Sequence, residues 1–286
     1  MKWMQALRSQ LPAHKYAINA KLLGDDAALA WSNLGAWTQG DTYPEACQAL
    51  ADHLALALQL HSADHVLDLG CGQGASVLHW LERYQVRRIS ALDLQPACIA
   101  NIKNVLQLKT AADANVQNFT ADLHCGSFLN LNQHFPEPRF DAVMCIDAAY
   151  HSALDPFLQS STSVLNSKGR LGFHYLMLSD DFLNLKPWQK LRYTALLKAA
   201  DVTLKDLPTQ PQLHQQLEKF GLHQICIENI SAKVLGGFAQ YAQQLCAAQS
   251  GTGIAQFKIN ATGKLCRTLF AEGLVHYVQV SAQKAD

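Results

Sequence analysis

The residues with the clearest chemical promise surround one glycine-rich turn. Asp68 stands two positions before Gly70-Cys71-Gly72-Gln73-Gly74. The short segment His65–Leu69 before the turn reads as a strand. The helix expected after it carries Val77, Leu78 and Leu81 on one side. Glycines let a backbone turn sharply and come close to a ligand. The N-terminus of the following helix offers free N–H groups and partial positive charge. Further acids then recur where strands should end: Asp93 after the second, Asp122 after the third, Asp147 after the fourth, Asp180 and Asp181 after the fifth. His151 lies four residues beyond Asp147. In an open α/β sheet, ligands bind in the crevice at the carboxyl ends of the strands, so these side chains should share one edge.

Two cofactor classes fit such a turn. Gly70-x-Gly72-x-x-Ala75 satisfies the dinucleotide fingerprint, with Asp93 about where a ribose-binding acid should be. Asp68 separates the two. A carboxylate there repels a pyrophosphate but attracts the ammonium and sulfonium groups of S-adenosylmethionine (SAM). A dinucleotide unit also usually opens its domain, whereas some 64 residues precede this strand. Electrostatics favours SAM.

The elements that must position these residues follow from periodicity. A helix should begin at Pro44, with Cys47, Leu50, Ala51, Leu54 and Leu58 as its buried stripe. Strands are expected at 65–69, 88–93, 116–121, 140–146 and 170–178, with helices from about 75, 96 and 155 between them. FDAVMCI at 140–146 is nearly all apolar, as in a strand buried on both faces. This alternation implies βαβ units, and so a doubly wound, mostly parallel α/β sheet of Rossmann-like type. Residues 180–213, punctuated by Pro187, Pro208 and Pro211, read as a helical lid insertion over the sheet's carboxyl edge. A strand at 222–230, a helix from about 232 to 248 and a Gly/Thr/Ser loop through Gly253 follow. The strand 274–282 should close the chain in an antiparallel edge hairpin. Residues 1–60 are taken as a helical cap and 61–286 as the cofactor-binding domain.

Composition narrows the partners. Twenty-three basic and twenty-three acidic residues leave zero net charge, which argues against both nucleic acid and anionic membrane surfaces as partners, with a local basic patch left open. No window approaches the roughly 18 apolar residues of a membrane span, and the N-terminus has no secretory h-region. A cytoplasmic protein acting on a small molecule is expected, without nucleic acid or integral membrane association; a homodimer stays open. The eight cysteines are scattered without a CxxC pair and read as small apolar residues rather than zinc ligands.

VLDLGCGQG, ALDLQP, FTADL and FDAVMCIDAAYH, in this order, resemble the motifs of the class I SAM-dependent methyltransferases over about residues 30–282. WSNLGAWTQGDTYPEACQALADHL, LEKFGLHQICIENIS and LVHYVQVSAQKA are similar to segments of the subgroup that methylates sterols, tocopherols and antibiotic sugars. Gln73, where Thr or Ser is commoner, and residues 180–213 depart from that pattern. The resemblance implies that Gly70, Gly72 and Gly74 pack on the methionine moiety with Asp68 nearby. Asp93 should hold the ribose hydroxyls, Asp122 the adenine amino group with Leu123 beside the ring, and Ile146 and Asp147 the sulfonium side. Cys71, Leu94 and Trp37 complete the expected cofactor set, and S-adenosylhomocysteine is the expected product.

In methyl transfer, alignment supplies much of the acceleration; a base matters only when the acceptor must lose a proton. His151 is the candidate base, with Asp180 or Asp181 orienting or replacing it. His174, inside a strand, reads as a core residue. A Mg²⁺ site built from Asp147, Asp180 and Asp181 is conceivable, but the subgroup does not support it and no metal is expected. Trp31, Trp37, Tyr43, Trp188 and Tyr193 would make either an aromatic lid over a hydrophobic or planar acceptor or plain packing. The leading reading is a small-molecule methyltransferase, with O-methylation favoured. A lipid- or quinone-directed enzyme and a non-catalytic SAM-binding protein are the alternatives.

Overall fold

The computed structural model describes residues 19–112, 119–248 and 253–286. Seven strands form one sheet: β1 (His65–Leu69), β2 (Arg88–Asp93), β3 (Thr120–Cys125), β4 (Phe140–Cys145), β5 (Leu165–Leu178), β6 (Leu222–Asn229) and β7 (Val275–Lys284). Their order is β3-β2-β1-β4-β5-β7-β6. The first five pair in parallel, and β7 runs antiparallel to both β5 and β6. The order reverses between β1 and β4, which opens the crevice on which the acids were expected to converge. The closing strand is therefore interior, and β6 forms the edge. On β7, Val275, Tyr277, Val278 and Val280 are all buried, so both faces of the strand are covered.

The helices are α1 (Tyr43–Ala57), α2 (Ala75–Glu82), α3 (Pro96–Ala112), α4 (Leu154–Ser163), α5 (Asp180–Leu183), α6 (Pro187–Ala199), α7 (Gln210–Lys219), α8 (Gly237–Ala248) and α9 (Ile254–Glu272). A π turn, Ala232–Gly236, leads into α8. Glu45 starts α1 by accepting the N–H of Thr42 at 2.8 Å and its hydroxyl at 2.6 Å, the reciprocal arrangement that satisfies an orphan donor. The inner stripe of α1 packs on the sheet at Gly172 of β5. A Cβ there would come within 2.7 Å of Leu58 and 2.9 Å of Leu54. So α1 covers the sheet, and the segment before it has only one 3-10 turn, Ala20–Leu23, among the described residues.

Two sequence expectations shift. Val116–Asn118 lie outside the described residues, and the third strand runs on to Cys125 rather than ending at Ala121. Nothing was assigned to 254–273, where the structure has the 19-residue helix α9. Residues 249–252 of the expected loop lie outside the described residues.

Candidate functional site

A cavity of about 1420 Å³ opens at the carboxyl ends of β1, β2 and β4. Asp68, Gly70, Cys71, Gly72, Asp93, Leu94, Ile146, Asp147 and His151 all line it, so most of the expected set is brought together. Its far wall comes from the segment before α1, the end of α6 and one face of α9.

The glycine loop is shaped from both sides. Gly72 has φ +54°, and a Cβ on it would lie 2.7 Å from the Ser32 hydroxyl. Its N–H donates to Asp93 Oδ2 at 2.9 Å. Asp93 Oδ1 accepts the N–H of Gln95 at 2.9 Å, leaving further lone pairs on both oxygens. Gly74 differs: it does not line the cavity, and at φ +95° its missing Cβ would strike Ile102 at 2.4 Å. Gly74 seats α2 against α3 instead of touching a ligand.

Two carboxyls in the wall are strongly perturbed. Asp68 is buried and accepts the indole N–H of Trp80 at 2.9 Å. Burial pushes its pKa up to about 6, against the opposing pull of Ser76 and Trp80. Asp147 accepts the Tyr150 and Tyr277 hydroxyls on Oδ1 at 2.6 and 2.8 Å, and the N–H of Leu34 on Oδ2 at 2.8 Å. Burial again dominates and raises its pKa to about 6. Behind it, His174 Nδ1 accepts the Asp147 N–H at 3.4 Å, so Nε2 carries the proton toward Gln279 Oε1, 3.3 Å away. Burial holds His174 down to about 3, the neutral core residue expected.

Several expected residues fall elsewhere. Asp122 and Leu123 sit inside β3, opposite Ser90 and Ala91, and do not line the cavity. Asp122 pairs with His124 and Arg139 at 2.8 Å each. Partial burial alone would raise its pKa, but those two partners hold it below the ordinary carboxylate range. Because β3 continues to Cys125, the cavity position assigned to Asp122 is taken by Gly126, Ser127 and Phe128. Trp37 is a packing residue: it stacks on Tyr241 at 4.3 Å and donates its indole N–H to Leu34 O at 2.7 Å. Asp180 and Asp181 open α5 and do not line the cavity. Neither therefore shares the cavity wall with His151, whose Nδ1 lies 3.4 Å from the Asp201 carbonyl oxygen. Among the described residues no group of three or more His, Cys, Asp and Glu side chains could hold a metal ion. Of the aromatic residues considered for a lid, only Trp31 reaches the cavity.

Other lining residues were not singled out from sequence. Tyr150 and Tyr277 sit on the Asp147 carboxylate, and Leu265 and Leu269 of α9 face the cavity. The signal for α9 was present: Ile259, Gly263, Cys266 and Leu269 recur at helical spacing and are buried, and Gly273 supplies the left-handed C-cap at φ +63°.

Comparison with known proteins agrees with this architecture. Residues 66–169 match the family model described as a methyltransferase domain. Erythromycin 3''-O-methyltransferase of Saccharopolyspora erythraea is 31% identical over 166 residues, 56% of this chain and 52% of that protein. Trans-aconitate 2-methyltransferase of Escherichia coli O157:H7 is 33% identical over 69 residues, 24% of this chain and 27% of that protein. The matches thus span about half or less of these relatives' length. Among solved structures, a sarcosine dimethylglycine methyltransferase of Galdieria sulphuraria superposes with a TM-score of 0.70 at 17% identity, covering 89% of this chain and 93% of the other. Geranyl diphosphate C-methyltransferase of Streptomyces coelicolor A3(2) gives 0.66 at 15% identity, over 96% and 99% of the two chains. No helix among the described residues is long and apolar enough to cross a membrane. The β3-β2-β1-β4-β5-β7-β6 sheet, the glycine loop after β1 and the methyltransferase-domain match over 66–169 together make the chain similar to the class I SAM-dependent methyltransferases.

Proposed function

We propose that the chain transfers a methyl group from SAM to a small acceptor with an apolar body, with an oxygen as the favoured methylated atom. The observation that carries this reading is one continuous cavity. Its near wall has Asp68, the glycine loop and Asp93, and its far wall has Leu176, Leu196, Leu235, Leu265 and Leu269. The donor set fits SAM rather than a dinucleotide: the near wall presents the carboxylates Asp68, Asp93 and Asp147, which disfavour a pyrophosphate. The close approaches to Gly70 and Gly72, where a Cβ would meet Ala148 at 2.9 Å and Ser32 at 2.7 Å, leave backbone as the loop's contact surface.

When bound, SAM supplies a methyl group on a positively charged sulfur, a good leaving group. Asp93 would hold the ribose hydroxyls, and Gly126–Phe128 would border the adenine. Ile146 and Asp147 would face the sulfonium side. The far wall excludes water and orients the acceptor, which is where most of the rate is expected to arise. His151 would take the proton of a hydroxyl acceptor. The end of α6 and the turn after it, residues 196–202, together with the segment before α1, would act as the lid, which makes this stretch the acceptor-shaping part of 180–213. A cytoplasmic setting fits this role.

Calorimetry tests the cofactor half. SAM and S-adenosylhomocysteine should bind, and Asp93→Ala should weaken both by about 1–3 kcal/mol, the cost of unpaired polar groups. Tighter binding of NAD than of SAM would overturn the assignment. Tight SAM binding without transfer to any hydroxylated acceptor would favour a non-catalytic SAM-binding protein.

A further inference from the structure

On the face of the sheet that α1 covers, two polar side chains sit in the core. His174 of β5 and Gln279 of β7 are both buried, and the paired strands set them directly opposite each other. Burying polar groups costs free energy unless they are hydrogen-bonded. An apolar pair of the same shape would fill the place without that cost. The gain lies at the ends of their hydrogen bonds.

Every link of this network has a fixed direction. The His53 carbonyl can only accept, and Gln279 Nε2 donates to it at 3.3 Å. Gln279 Oε1 is therefore the acceptor for both imidazoles, from His53 Nδ1 at 3.0 Å and from His174 Nε2 at 3.3 Å. With its proton on Nε2, His174 keeps the Nδ1 lone pair for the Asp147 N–H, 3.4 Å away. The ring of Tyr277 lies beside the imidazole, with centroids 5.5 Å apart. Tyr277 and Gln279 stand two residues apart on β7 and so share a face. β7 thus grips Asp147 twice: Tyr277 donates its hydroxyl to the carboxylate, and Gln279 acts on the backbone through His174. Asp147 lines the cavity at φ +53°, a conformation that persists only where its surroundings over-determine it.

We infer that Gln279 and His174 are positioning residues of the cofactor site: Gln279 fixes the His174 tautomer, and His174 fixes the turn that aims the Asp147 carboxylate. The inference rests on the SAM reading above, in which Asp147 faces the sulfonium side. Charge gives this role a signature that packing lacks. SAM carries a positive sulfur and S-adenosylhomocysteine a neutral one. A displaced carboxylate therefore weakens SAM selectively, whereas a loosened core would weaken both ligands alike.

Calorimetry on the full-length protein, well above the raised Asp147 pKa, reads the difference. Gln279→Met, of similar length but with no strong acceptor, should lower SAM affinity about fivefold and S-adenosylhomocysteine affinity less than about twofold, the scale of one hydrogen bond. Gln279→Glu keeps an oxygen toward His174 Nε2 and should retain the parental ratio of the two affinities. Nitrogen-15 NMR of the histidine rings needs no variant: in the parent, His174 should carry its proton on Nε2 and leave Nδ1 bare. A proton on Nδ1 would overturn the inference. So would a Gln279→Met protein that binds both ligands as the parent does, or that loses both equally. A parent that binds neither ligand would instead overturn the SAM reading, and this inference with it.

Discussion

The carboxylate of Asp147 reaches back 113 positions to accept the backbone N–H of Leu34 at 2.8 Å. The same side chain takes the hydroxyls of Tyr150 and Tyr277. One residue just past β4 thereby ties down the segment before α1, the 3-10 turn Ala149–His151 and β7. It does so at φ +53°, a left-handed conformation that costs a non-glycine residue of order 1–3 kcal/mol and is held by those contacts. Replacing Asp147 with Ala should strand three donors and lower stability by roughly 2–3 kcal/mol. Asn tolerates the left-handed region and retains an acceptor oxygen, so Asp147→Asn should lose less. Chemical denaturation of the two variants checks the order; equal losses would show that the contacts do not hold the turn.

Asp68 makes a pH prediction. Burial raises its pKa from an ordinary 3.8 to about 6, so between those values the folded chain binds a proton that the unfolded chain does not. Stability from this group is complete below about pH 3.8 and is lost as pH rises through about 6. Asp68→Asn keeps an oxygen for the Trp80 indole and removes the buried charge. The variant should gain up to about 3 kcal/mol relative to the parent above pH 6, the equivalent of about two pKa units, and nothing below pH 4. Its SAM affinity should fall if, as proposed, this carboxylate faces the ammonium group. Denaturation midpoints across pH 4–8 would reveal the crossover; parallel profiles would place the Asp68 pKa at its ordinary value.

How far sequence reaches is visible at particular residues. The stretch from His65 to Asp93 was legible in full, since a strand, a glycine turn and a helix each announce themselves within a few residues. Asp122 was not. Its strand begins beside residues 113–118, outside the described set, and its end depends on pairing with β2, where Asp93 meets Cys125. A register set by another strand cannot be read from local alternation. Trp37 misled for a related reason: its partner Tyr241 lies some 200 residues away. The acids after β5 likewise fell outside the cavity because α5 starts at once and carries Asp180 and Asp181 away from its wall.

The displaced adenine position can be tested directly. Asp122→Ala should leave SAM affinity within about twofold of the parent. Its loss of stability should stay within about 1 kcal/mol, since its ion pairs are half exposed. Phe128→Ala, in the segment that lines the cavity, should weaken SAM binding about tenfold or more, as expected when an aromatic contact is removed. Phe128 also meets Phe157 edge-on at 5.6 Å, so its affinity should be measured well below the unfolding transition. A tenfold loss in Asp122→Ala with none in Phe128→Ala would restore the first assignment.

The remaining prediction concerns His151. Its Nδ1 faces the carbonyl oxygen of Asp201 at 3.4 Å. A carbonyl can only accept, so this contact favours the proton of the neutral ring on Nδ1. The ring lies in the cavity wall with Tyr150, whose ring centroid is 4.6 Å away. For a hydroxyl acceptor, His151→Ala should lower turnover by about 10²–10⁴-fold, the range for a positioned base, and leave SAM affinity nearly unchanged. The rate of the parent should rise with pH as the ring loses its proton. Asp180→Asn and Asp181→Asn should keep the parental rate, because neither side chain lines the cavity. A His151→Ala enzyme that retains more than about a third of the parental rate would make the ring structural, and would point to an amine, thiolate or carboxylate acceptor that needs no base.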